Sequence, residues 1–185
     1  MPLRNGQHGY GAATKLLHWL TVGAITGQFL VGYSVRGELD DHGGRAVALD
    51  HGHGGSGSDD DGGEGFEQLF SGGFGLPELH VVLGLSILAL GVLRVLWRYV
   101  GSLPPWAPSL SNTERTLEGL LEKALLALLF LIPISGLLLV GTGEDDYLPL
   151  HVAAHVAFFV ALGLHLALVL KHTVIHRDRH LARML

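Results

Sequence analysis

The stretch LPLHVAAHVAFFVALGLHLALVL, Leu148–Leu170, decides the fold. It is 23 residues long and carries no Lys, Arg, Asp or Glu. Its only ionisable side chains are three histidines, His151, His155 and His165. Crossing a hydrocarbon core takes roughly 20 helical residues. Backbone inside lipid must satisfy its own hydrogen bonds, so the stretch reads as a membrane-spanning helix.

Three further apolar blocks precede it, at about 16–33, 79–97 and 120–140. The chain has 185 residues, of which 48% are hydrophobic and 16% charged, with a mean hydropathy of +0.38. A soluble domain carries such a fraction only when its apolar residues are spread along the chain. Here they are bunched, which predicts an all-α membrane protein built as a bundle of four transmembrane helices. The first block lacks a small-residue cleavage site and is followed by a Gly-rich acidic stretch, so it is not read as a cleaved leader. The absence of cysteine excludes disulfides, thiolate metal sites, iron–sulfur clusters and covalently attached c-type haem.

Orientation follows from the basic residues. Arg4, Lys15, Arg94, Arg98, Arg115, Lys123, Lys171, Arg177, Arg179 and Arg183 fall on one side of such a bundle. Only Arg36 and Arg45 fall on the other, together with most of the acids. Both termini are expected in the cytoplasm. The segment Arg36–Gly75 is rich in Gly, Asp and His and is expected to form an external loop rather than a core. Pro104, Pro105 and Pro108 predict a stiff cytoplasmic connector.

Ionisable residues inside a membrane helix are costly and are functional candidates by default. His18 lies two residues past the inner start of the first block, and His165 lies five short of the inner end of the fourth. His80 is one residue past the outer start of the second block, and His151 is three past that of the fourth. The set resolves into an inner level, His18 with His165, and an outer level, His80 with His151. The fourth helix links them. Fourteen residues advance about 1400°, some 40° short of four full turns, and about 21 Å along the axis. His151 and His165 therefore share a face. Two imidazoles from opposing helices in an apolar slot are what a b-type haem requires, and two bound haems b are expected. His155 is the alternative outer ligand, with a larger phase error of about 80° from His165. Gly23, Gly27, Gly84 and Gly163 would let a flat macrocycle approach, and Lys15 and Arg94 are placed to meet haem propionates.

These residues resemble a known family. YGAATKLLHWL at Tyr10–Leu20, LHVVLGLSILALGVLRVLWR at Leu79–Arg98, IPISGLLL at Ile132–Leu139 and the His151–His165 pair followed by LALVLKH resemble prokaryotic cytochrome b561. The wider group includes the membrane cytochrome b subunits of hydrogenases and formate dehydrogenases. The resemblance implies a four-helix bundle in the bacterial inner membrane holding two b haems, with His18, His80, His151 and His165 as axial ligands. It also implies electron transfer between the quinone pool and an external redox partner, since some members oxidise superoxide and reduce ubiquinone. Many members have histidines at the inner end of helix three, where this chain has Glu118 and Glu122. These acids are expected to face cytoplasmic water, with proton delivery to a quinone as the alternative.

The expected function is a two-haem electron conduit with lipid, quinone and a redox protein as partners and no nucleic acid. The acidic external face would repel superoxide and suits a cationic protein docking there. Two alternatives stand beside this: a haem-bearing anchor subunit of a larger dehydrogenase or hydrogenase, and, from another class, a metal or ion transporter. His42, His51 and His53 with Asp50 and Asp59–Asp61 read as a solvated spacer rather than a metal site. His172, His176 and His180 read as a helical face touching anionic lipid headgroups.

Overall fold

The computed structural model describes residues 5–6, 9–41, 74–101 and 111–175. Within them lie four long helices: α1 Ala12–Asp41, α2 Leu76–Val100, α3 Asn112–Thr142 and α4 Leu148–Leu170. A 3₁₀ turn, Asp145–Tyr147, joins α3 to α4, and a π-helical turn, Lys171–Ile175, follows α4. The bounds of α4 coincide with those expected. The other three helices run further: α1 continues to Asp41, into the stretch expected as loop, and α3 begins eight residues early at Asn112. Ser111 explains the latter. Its Oγ accepts from the Glu114 amide at 3.3 Å while the Glu114 carboxylate accepts from the Ser111 amide at 2.9 Å. This capping box starts a helix in polar sequence ahead of the apolar block. The segment 42–73, with His42, His51 and His53, the connector prolines 104, 105 and 108, and the tail beyond 175 lie outside the described residues.

The bundle is built from neighbours in sequence, α1 against α2, α2 against α3 and α3 against α4. The circuit closes through rings: Phe29 of α1 meets Phe158 and Phe159 of α4 at centroid distances of 6.0 and 4.5 Å. The buried cluster is small, comprising Leu121, Leu128, Ala154, Phe158 and Ala161. Large apolar side chains point outward on every helix, among them Leu30, Leu93, Leu120 and Val160. A water-soluble protein rarely tolerates so much contiguous apolar surface, whereas lipid covers it without cost.

Among the described residues, three segments are long and apolar enough to cross a membrane: Leu76–Val100, Asn112–Thr142 and Asp145–Val174. Helix α1 is long enough at 30 residues but is not among them, because His18, Thr21, Thr26 and Gln28 dilute its apolar run. Two of those polar groups are satisfied within the helix. Thr21 and Thr26 donate to the carbonyls of Leu17 and Val22 at 2.6 and 2.9 Å, which lowers the cost of placing them in lipid.

Polar contacts tie the expected cytoplasmic ends. The Trp97 indole donates to Thr14 Oγ1 at 3.1 Å, joining α2 to α1. Arg98 pairs with Glu122 at 2.9 Å, joining α2 to α3. Lys171 pairs with Glu114 at 2.7 Å, joining the end of α4 to the start of α3. His172 is buried beside the same carboxylate at 3.5 Å. The expectation that His172 faces lipid headgroups is therefore corrected. His172 lies within the π turn, with its ring inward toward that carboxylate.

Gly143 closes α3 with φ of 66° and donates its amide to the Leu139 carbonyl at 3.2 Å. A side chain with Cβ is strained in this left-handed conformation. Gly143→Ala should lower stability in detergent by about 1 kcal/mol, and Gly143→Asn by less. Thermal unfolding followed by circular dichroism would read the difference, and equal stability of all three proteins would contradict the assigned cap.

Candidate functional site

The end of the bundle expected to face outward holds a cavity of about 140 Å³ to which all four helices contribute. Its lining is almost wholly apolar except for Gln28 of α1, His80 of α2, and His151 and His155 of α4. The two histidines expected as an outer pair thus share one cavity, and the alternative ligand His155 lies in it as well. The His151 and His155 rings meet edge-on at a centroid distance of 4.5 Å. His155 also packs on Phe29 at 5.5 Å.

His151 is the most constrained of these side chains. Its Nδ1 lies 3.1 Å from the Ile132 carbonyl oxygen and 3.0 Å from Ser135 Oγ. A carbonyl oxygen only accepts, so in the neutral ring the proton sits on Nδ1. Nε2 is left as the lone-pair nitrogen, the form that binds a metal. Metal-ligating histidines almost always donate their other ring N–H to a carbonyl, a carboxylate or water. The absence of Cβ at Gly136 makes room for the ring, since a methyl there would come 3.0 Å from His151 Cε1.

His80 is seated in a parallel way against Gly32 of α1, where an added Cβ would lie 3.2 Å from its Cε1. Its polar partner differs. Gln28 Nε2 stands 3.0 Å from His80 Nε2, while His80 Nδ1 and Gln28 Oε1 are both buried without a hydrogen-bond partner among the described residues. Each hairpin of the bundle therefore seats an imidazole against a glycine and gives it a polar contact.

At the inner end, Arg94 Nη2 approaches His18 Nδ1 at 3.2 Å. A guanidinium only donates, so Nδ1 accepts here. His165 lies within electrostatic range of His18. Gly23 and Gly163 both face open space, with nothing within 4 Å of an added Cβ. Arg94, expected near haem propionates, lies against the inner histidine. Glu122, expected in water or in proton delivery, is engaged by Arg98.

Sequence reasoning missed two polar residues of the outer site. Gln28 carried a usable signal, an amide deep in an otherwise apolar block, four residues before Gly32. Ser135 carried none beyond its place in IPISG, because a serine in a membrane helix ordinarily bonds its own backbone. Among the described residues no three His, Cys, Asp or Glu side chains gather to hold a bare ion. A haem supplies four nitrogens itself and needs only a pair of imidazoles; three imidazoles, His80, His151 and His155, line this cavity.

No curated protein gives a match to the chain. The family model for prokaryotic cytochrome b561 matches residues 9–185, covering all four helices. An apolar helical bundle with histidines at its two ends is what that family's membrane b-type haem electron transfer requires, and the chain belongs to the prokaryotic cytochrome b561 family.

Proposed function

We propose that the chain spans the bacterial inner membrane four times, with both termini in the cytoplasm, and carries electrons across it through two b haems. The inner haem is held by His18 and His165, the outer by His80 and His151. Electrons pass between the quinone pool on one side and an external redox protein on the other. The observation that carries this reading is His151: its Nδ1 proton is committed to the Ile132 carbonyl, in a cavity it shares with His80. His155 has no comparable tie and serves as packing against His151 and Phe29.

A bound haem supplies a one-electron Fe(III)/Fe(II) couple. The chain does the rest. Apolar walls keep water from the iron and set its potential by burial. Gly136 and Gly32 let imidazole rings approach neighbouring backbones. At the inner level, ligation by His18 requires Arg94 to release Nδ1 and turn to another acceptor, and a haem propionate is the acceptor of matching charge. The fourth span, α1, is supported by its length and by the internal hydrogen bonds of Thr21 and Thr26. On the external side, the acid-rich segment favours a cationic protein over superoxide as the electron-exchange partner.

The ligand assignment gives separable outcomes. His18→Ala should lose one haem and keep the other, and His80→Ala should lose the complementary one, as read by haem content and low-temperature spectra. Retention of two haems by either variant contradicts the assignment. At the outer site, His151→Ala should lose a haem that His155→Ala retains, and the reverse pattern would make His155 the ligand. Electron exchange with a cationic donor protein should slow several-fold between about 50 and 200 mM salt, because screening shortens the reach of exposed charges. A rate independent of salt would remove the acidic face from the account.

A further inference from the structure

Ser135 is among the most deeply buried polar residues described, 1% exposed, toward the C-terminal end of α3. Its hydroxyl has a single proton, and Oγ lies 2.9 Å from the Ile132 carbonyl. The same oxygen lies 3.0 Å from His151 Nδ1, which is itself 3.1 Å from that carbonyl. Three polar atoms thus form a closed triangle holding two protons. Only one distribution avoids an acceptor facing an acceptor. The serine proton goes to the Ile132 carbonyl, and the Nδ1 proton is shared between that carbonyl and Ser135 Oγ. Were Nδ1 unprotonated, its lone pair would face the carbonyl oxygen at 3.1 Å with no hydrogen between them.

We propose that Ser135 is a positioning residue of the outer site, sharing the Nδ1 proton of His151 and thereby tuning the electron donation of that ring to the outer haem iron. The inference rests on the ligand assignment proposed above. The backbone carbonyl alone fixes which nitrogen carries the proton. Ser135 adds a second acceptor, and a more strongly hydrogen-bonded Nδ1–H makes the ring a more basic ligand. A more basic ligand favours Fe(III) over Fe(II) and lowers the potential. Gly136 gives the ring its space in the triangle. Sliding the ring away from Ser135 would cost the carbonyl contact as well.

The test compares the full-length protein with Ser135→Ala and Ser135→Thr in detergent. Haem content, optical redox titration and the low-spin ferric EPR signals are the readouts. Ser135→Ala should keep both haems and raise the potential of one. At a fixed ambient potential its Fe(II)/Fe(III) ratio should rise about three- to tenfold, roughly 28 to 59 mV for a one-electron couple. The EPR signal that moves should be the one absent from His80→Ala, and Ser135→Thr, which retains the hydroxyl, should stay close to the parent. Loss of the outer haem from Ser135→Ala but not from Ser135→Thr also supports the role. Two unchanged potentials, or an equal shift in both variants, would overturn it. Fewer than two haems in the parent protein would instead overturn the ligand assignment beneath it.

Discussion

An imidazole buried in a hydrocarbon bundle has two nitrogens to satisfy and no water to satisfy them. One must donate to an acceptor before the other is available as a ligand of fixed direction. In this protein that requirement is met at His151, whose Nδ1 proton goes to the Ile132 carbonyl and Ser135. The arrangement depends on α3 presenting a carbonyl and a hydroxyl together, and on Gly136 letting α4 come close enough. The packing of α3 against α4, the closing turn at Gly143 and the apolar cavity all bear on this contact.

The same need is handled differently elsewhere in the bundle. His80 meets Gln28, and His18 meets Arg94, through contacts that occupy a ring nitrogen with a donor rather than free it. Of these three, His151 is the one already in ligating form. On the ligand assignment proposed above, the outer pocket would have one ligand preset and one to be released by an amide, while His18 would exchange a guanidinium for iron. Arg94, once released, is a cation in an apolar setting that needs an anion, and a propionate meets that need.

The extent to which the primary structure foretold this differs by feature. The apolar blocks identified four helices, because lipid admits little else at that length. The bounds of α4 were legible since apolar residues fill it from end to end. Those of α1 and α3 were not, because both continue into polar sequence where capping and local hydrogen bonds decide. The depth of His80 and His151 anticipated that they would share a cavity. The roles of Gln28 and Ser135 were invisible to depth or periodicity, since they depend on which helix face meets which. His172 was misread because it lies in a π turn, Lys171–Ile175, and is buried beside Glu114.

The central claim is that two levels of paired histidines hold two haems in one chain. The most direct measurement is the haem-to-protein ratio of the purified protein by pyridine haemochrome, taken with reduced-minus-oxidised spectra. The account predicts two b haems per chain, both reducible and with separable potentials. A single haem would contradict the two-level arrangement, and a folded protein without haem would contradict the functional reading as a whole.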